Sequence, residues 1–134
     1  MNRSKHTKRY ERRGRMVSPQ TFFAALRAGE PIQGVWLNSR RYHVFCESGA
    51  TCVECGLEGL YFARERSPGQ KGKFHFNLYG IQNGTEVLFT RDHIQPLSKG
   101  GSNKLENQQT MCAFCNQRKG NKTPESSQVV KAPS

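Results

Sequence analysis

The stretch from Val87 to Lys122, VLFTRDHIQPLSKGGSNKLENQQTMCAFCNQRKGNK, concentrates residue types that do chemistry on phosphates. It holds an adjacent Asp92-His93 pair, Asn107 fourteen positions after the histidine, and Asn116 nine positions further on. That order can gather a carboxylate, an imidazole and an amide oxygen around one metal ion beside a phosphate. Hydrolysis of a phosphodiester needs an activated water, charge stabilisation at phosphorus and help for the leaving oxygen. Imidazole titrates near neutrality, so His93 suits the general base. Neighbours on an extended strand point to opposite sides. Asp92, the one aspartate in the chain, can therefore ligate the ion while His93 faces the water. Asn116 adds a neutral oxygen. An all-oxygen protein set suits Mg²⁺ or Mn²⁺ better than a soft transition metal.

A second constellation is made of sulfur. Cys52-x-x-Cys55 and Cys112-x-x-Cys115 are two knuckle-like pairs with 56 residues between them. Four thiolates at this spacing fill a tetrahedral Zn²⁺ shell, which leaves no open position for substrate, so the zinc would be structural. It would clamp the start of the sheet to the final helix. The rival readings are disulfides or a redox pair. Cys46 is left over and is expected as a buried thiol.

Composition narrows the class. Hydrophobic residues make up 34% of 134 residues. So small and lean a domain often needs a metal or disulfide staple. The net charge of +11 favours a polyanionic partner, nucleic acid before an anionic membrane. No apolar run approaches the length that spans a bilayer, and no apolar segment follows the basic N-terminus as in a secretion signal. The expected location is the cytoplasm, a host's if the chain is phage-encoded. There, paired cysteines are metal ligands more often than disulfides.

The elements that must position these groups follow from pattern. Residues 1–16 read as a disordered basic arm, in which Arg9, Arg12 and Arg13 could track phosphates. Residues 17–50 read as a helical segment. Ser18 caps a first helix, Pro19 suits its first turn and Gly29 stops it, with Phe22, Phe23 and Leu26 inward. Trp36 is expected as an anchor in an irregular stretch. A second helix is expected from an Asn38 cap to about Glu47, burying Tyr42, Phe45 and Cys46, with Arg40 and Arg41 outward. Leu60–Arg66 reads as a strand. Phe74, Phe76 and Leu78 alternate with His75, Asn77 and Tyr79 as a second strand. Asn83-Gly84 is a tight turn before a third strand from Glu86. Residues 98–103 form a glycine-containing loop, residues 110–119 a short helix, and residues 123–134 a flexible tail. Arg118, Lys119 and Lys122 are expected to contact phosphates beside the site, with Arg91 and Lys99 as weaker candidates.

His93, Asn107 and Asn116 match the three positions of the HNH, or ββα-metal, nuclease motif, and Asp92-His93-Ile94 is its usual opening. The chain resembles the HNH endonuclease family over roughly residues 52–122, and looks like the small phage and bacterial members with flanking cysteine pairs. Many members carry a third histidine where this chain has Asn116. The resemblance implies that Asn107 braces the loop carrying His93, and that products carry 5′-phosphate and 3′-hydroxyl ends. The expected fold is α+β: two short N-terminal helices, a small antiparallel sheet and a zinc-braced ββα-metal core over 51–122. The expected function is Mg²⁺- or Mn²⁺-dependent cleavage of DNA, double-stranded, by a monomer or weak dimer. One such site cuts one strand, as a nickase would. The alternatives are a zinc-stabilised nucleic-acid-binding module without cleavage, and an RNA-directed nuclease.

Overall fold

The computed structural model describes residues 10–69 and 72–120. Arg9 and Lys122, expected to touch phosphate, lie outside the described residues, as does the tail expected from Thr123. Ten residues of helix, α1 (Pro19–Ala28), follow a two-residue strand, β1 (Glu11–Arg12). Helix α2 (Arg40–Ser48) precedes strands β2 (Tyr61–Arg66), β3 (His75–Gln82) and β4 (Thr85–His93). Strand β5 (Gln108–Cys112) and helix α3 (Ala113–Lys119) close the order. The five strands form one antiparallel sheet in sequence order.

Local chemistry explains α1 directly. The Ser18 hydroxyl accepts from the Thr21 N–H at 3.2 Å, and Gly29 adopts a left-handed conformation that returns its N–H to the last turn. Helix α2 starts at Arg40 with Ser39 as its cap residue, one place later than the expected Asn38 cap. Both helices pack on one sheet face through aromatic rings. Phe22 stacks on Phe62 with centroids 3.7 Å apart, and meets Tyr42 and Phe76 edge-on. Cys46 is only partly buried, at the margin of this core.

The opposite face is polar yet buried, which the alternation in β3 does not anticipate. Asn77 and Tyr79 are covered as well as Phe76 and Leu78. Part of the cover is the Arg12 side chain of β1, from a segment expected to be a disordered arm, which lies over the Tyr79 ring. Arg12 donates from Nε to Glu65 at 2.6 Å and from both terminal nitrogens to Glu86 at 3.0 Å. Glu65, only 2% exposed, also accepts from Asn77 and from the Tyr79 hydroxyl. Arg13 pairs with Glu11 at 2.7 Å. Arg12 is thus engaged within the sheet and not held out to phosphate, whereas the Arg13 side chain is exposed beside it.

Removing one partner of a buried ion pair strands the other charge. Arg12→Met is therefore expected to destabilise the fold by about 3 kcal/mol, read by urea unfolding. A loss below about 0.5 kcal/mol, the level of an ordinary surface change, would mean that Glu65 does not depend on Arg12.

Asn83 and Gly84, both at positive φ (52° and 77°), make the two-residue turn between Gln82 and Thr85. The helix expected over 110–119 begins only at Ala113. Residues 108–112 pair with β4 instead, Thr110 opposite Arg91 and Cys112 opposite Phe89. Distant partners decide this: Thr110 donates its N–H to the Ser48 hydroxyl and its own hydroxyl to the Gly49 carbonyl. Trp36, the expected anchor, is 61% exposed.

Candidate active site and cysteine cluster

Strand β4 ends in Asp92 and His93, and its pairing with β5 puts them opposite Gln109 and Gln108. The alternation turns their side chains to opposite sides, as expected. Asp92 is buried (6% exposed) and turned toward α3, whereas His93 is partly exposed. Asp92 accepts from Gln109 at 2.9 Å and pairs with the Lys119 ammonium at 3.0 Å. The same ammonium donates to the His93 carbonyl at 2.8 Å. Lys119 is therefore folded back onto the strand, not extended toward a phosphate.

His93 Nε2 lies 2.8 Å from the side-chain oxygen of Asn103. An acceptor at Nε2 assigns that nitrogen the proton and leaves Nδ1 as the basic lone pair. The sequence reading does not single out Asn103, which there only ends a glycine-containing loop. The signal that could have found it is an amide within ten residues of a candidate base.

Asn107 holds the same loop. Its side-chain amide donates to the Gln95 and Ser102 carbonyls, at 3.1 and 2.7 Å, and its oxygen accepts from the Gln95 N–H. The Ile94 N–H donates to the Asn107 carbonyl at 2.8 Å. Gly101 completes the loop by close approach: a Cβ there would stand 1.8 Å from the Gln95 carbonyl oxygen.

Asn116 on α3 donates to the Thr90 hydroxyl at 2.8 Å, so its amide oxygen is the remaining acceptor. Arg91, Asp92, His93, Pro96, Ser98 and Asn116 line an open cleft of about 350 Å³. The donor set fits a hard divalent cation: one carboxylate and one amide oxygen on adjacent elements. An ammonium already standing against Asp92 and the His93 carbonyl shows that the position favours positive charge.

The other expected phosphate contacts are variously placed. Arg91 donates to Gln108 at 2.6 Å, and Arg118 reaches the Cys115 sulfur at 3.2 Å. Lys99 is exposed at the end of a 3₁₀ turn, Leu97–Lys99.

The four cysteine sulfurs of Cys52, Cys55, Cys112 and Cys115 lie within 4.8 Å of one another. Tetrahedral zinc with Zn–S bonds of about 2.3 Å separates its sulfurs by about 3.8 Å, and Cys55 and Cys112 are 3.9 Å apart. Burial raises the Cys52 thiol, but the backbone around Cys112, Cys55 and Glu54 outweighs it and brings the group down to about 7. Burial, with crowding by the other sulfurs, pushes Cys112 and Cys115 up. The Cys52 thiolate thus forms readily, whereas Cys112 and Cys115 favour the thiolate only beside a cation. This is the make of a structural zinc site. It ties the loop after α2 to the β5–α3 junction.

β4, β5 and α3 form a ββα unit with the Asp-His pair at the strand end and an asparagine on the helix, which defines the ββα-metal class. Residues 81–129 match a family described as HNH endonuclease. Over this stretch the chain is similar to the HNH endonuclease family. No curated protein and no solved structure matches it. Among the described residues no helix is long and apolar enough to cross a membrane.

Proposed function

We propose that the protein is a metal-dependent DNA endonuclease that cuts one strand at a time. The observation that carries this reading is the convergence of His93, oriented by Asn103, with Asp92 and Asn116 on a single open cleft. Nδ1 of His93 removes the proton from the attacking water. The Asn103 oxygen accepts from Nε2–H and stabilises the imidazolium as it forms. Asn107 keeps the His93 loop at fixed height against β5. Asp92 and Asn116 would hold Mg²⁺ or Mn²⁺, which when bound offsets charge at phosphorus and on the leaving oxygen. One such cleft serves one strand, so linear products require a second copy or a second encounter. Double-stranded DNA is the proposed substrate, given the net charge of +11. The test is plasmid nicking in Mg²⁺ followed by DNA ligase. Sealing of the nicks supports 5′-phosphate and 3′-hydroxyl ends, and failure to seal contradicts them.

Lys119 has a defined part in this scheme. Its ammonium neutralises Asp92 and competes for the same oxygens as a divalent ion. Lys119→Met is expected to bind Mn²⁺ on the order of tenfold more tightly by calorimetry, a change of about 1.4 kcal/mol. It should also melt at lower temperature when only zinc is present, because the buried carboxylate loses its partner. Unchanged Mn²⁺ affinity would show that the ammonium does not occupy the metal position.

The alternative is a zinc-stabilised module that binds nucleic acid without cutting. The Lys119–Asp92 pair is compatible with it. The His93–Asn103 bond favours cleavage, because a binding module has no use for an oriented base.

A further inference from the structure

Trp36 is exposed for a local reason. Gln33 and Gly34 turn the chain at positive φ so that Ile32 bridges Val35, and Val35 and Leu37 are both buried. In extended backbone the residue between two buried neighbours points outward. The only tryptophan of the chain therefore borders a cavity of about 580 Å³, lined also by Tyr42, Arg64, Lys73, Phe74 and His75.

Among the described residues no carboxylate neutralises the charge in this cavity. Arg64 and Lys73 form no ion pair among the described residues. The Arg64 guanidinium lies over the Phe74 ring, 4.0 Å from its centroid, and its buried Nε has no hydrogen-bond partner among the described residues. Aromatic faces beside uncompensated cations suit a planar ring that carries an anion. A nucleotide has both.

A short chain of contacts links the cavity to His93. Asn38 and Ser39 line it, and the next residue, Arg40, reaches the Asn103 carbonyl at 3.4 Å. Asn103 is the residue that orients His93. We propose that this cavity holds one unpaired nucleotide of the nucleic-acid substrate, its base stacked on Trp36 and its phosphate beside Arg64 and Lys73. A base within a duplex is already stacked on both faces and has none to offer. The pocket therefore selects single-stranded, flapped or mismatched sites over blunt duplex. This inference rests on the nucleic-acid reading above, though not on the cleavage chemistry.

The test uses the full chain without added divalent ion. Trp36 emission is titrated with a short oligothymidylate and with a blunt duplex of equal length. Binding of labelled forms of both is then measured by anisotropy for wild type, Trp36→Ala and Trp36→Phe. The oligothymidylate is expected to quench the emission. Trp36→Ala should weaken its binding on the order of tenfold, Trp36→Phe should restore most of it, and duplex affinity should not change. Equal losses on both DNAs, or no quenching, would overturn the proposal. Unchanged binding of both by Trp36→Ala would do so too, and would leave the face to a protein partner. A chain that cuts no DNA yet shows selective quenching would sink the nuclease reading and keep the pocket. Cutting without quenching would do the reverse.

Discussion

His93→Ala is expected to lower the single-turnover cleavage rate by a factor of about 100 to 10,000, the range for loss of a general acid or base. The expectation follows from position. The side chain is partly exposed at the lip of the cleft, and its imidazole bonds to Asn103. Its removal takes the base from the water without opening the core. The melting curve and DNA affinity should therefore stay close to wild type. Asn103→Ala should act through the same imidazole, with a smaller loss and an altered pH–rate profile, because it orients the base without reaching the phosphate. If His93→Ala keeps the wild-type rate, another group activates the water and the assignment fails.

Cys112→Ser has the other large effect, and on stability. Structural zinc contributes apparent binding energy of about 10–16 kcal/mol in zinc-finger peptides. The whole folding free energy of a small domain is about 5–15 kcal/mol. Loss of one ligand therefore threatens the fold itself. Cys112 ends β5 and immediately precedes α3, so the loss also frees the helix that carries Asn116. The variant is expected to lose zinc by elemental analysis, lose its cooperative melting transition and lose cleavage. Full zinc content with a wild-type melting curve would show that the four sulfurs do not form a metal site.

Features set by neighbouring residues are legible in the sequence. Ser18, Pro19 and Gly29 bound α1 because caps act within one turn of the chain. Asn83-Gly84 marks its hairpin because positive φ is a property of two adjacent residues. The same holds for Asp92-His93, where alternation alone puts a buried carboxylate and a partly exposed imidazole on opposite sides of the strand. The cysteine pairs are legible because each knuckle is local, and the cluster joins them as expected.

What escapes depends on partners far along the chain. Arg12 looks like one charge in a solvated arm until Glu65, 53 residues away, is seen beneath it. Lys119 reads as a phosphate contact because its basic run is local, whereas Asp92 is 27 residues distant. Residues 110–112 have no strand signature of their own, and β4 with the Ser48–Gly49 corner imposes one. Trp36 reads as an anchor because large aromatic residues are usually well covered. The backbone alternation between Val35 and Leu37 turns it out.

The central claim, that this cleft hydrolyses phosphodiesters through His93, is tested most directly by incubating supercoiled plasmid with Mg²⁺ and either wild type or His93→Ala. Conversion to open circle by wild type alone, with linear product appearing only later, is the predicted result. Equal conversion by both proteins, or none by either while both still retard the plasmid in a gel, would contradict it.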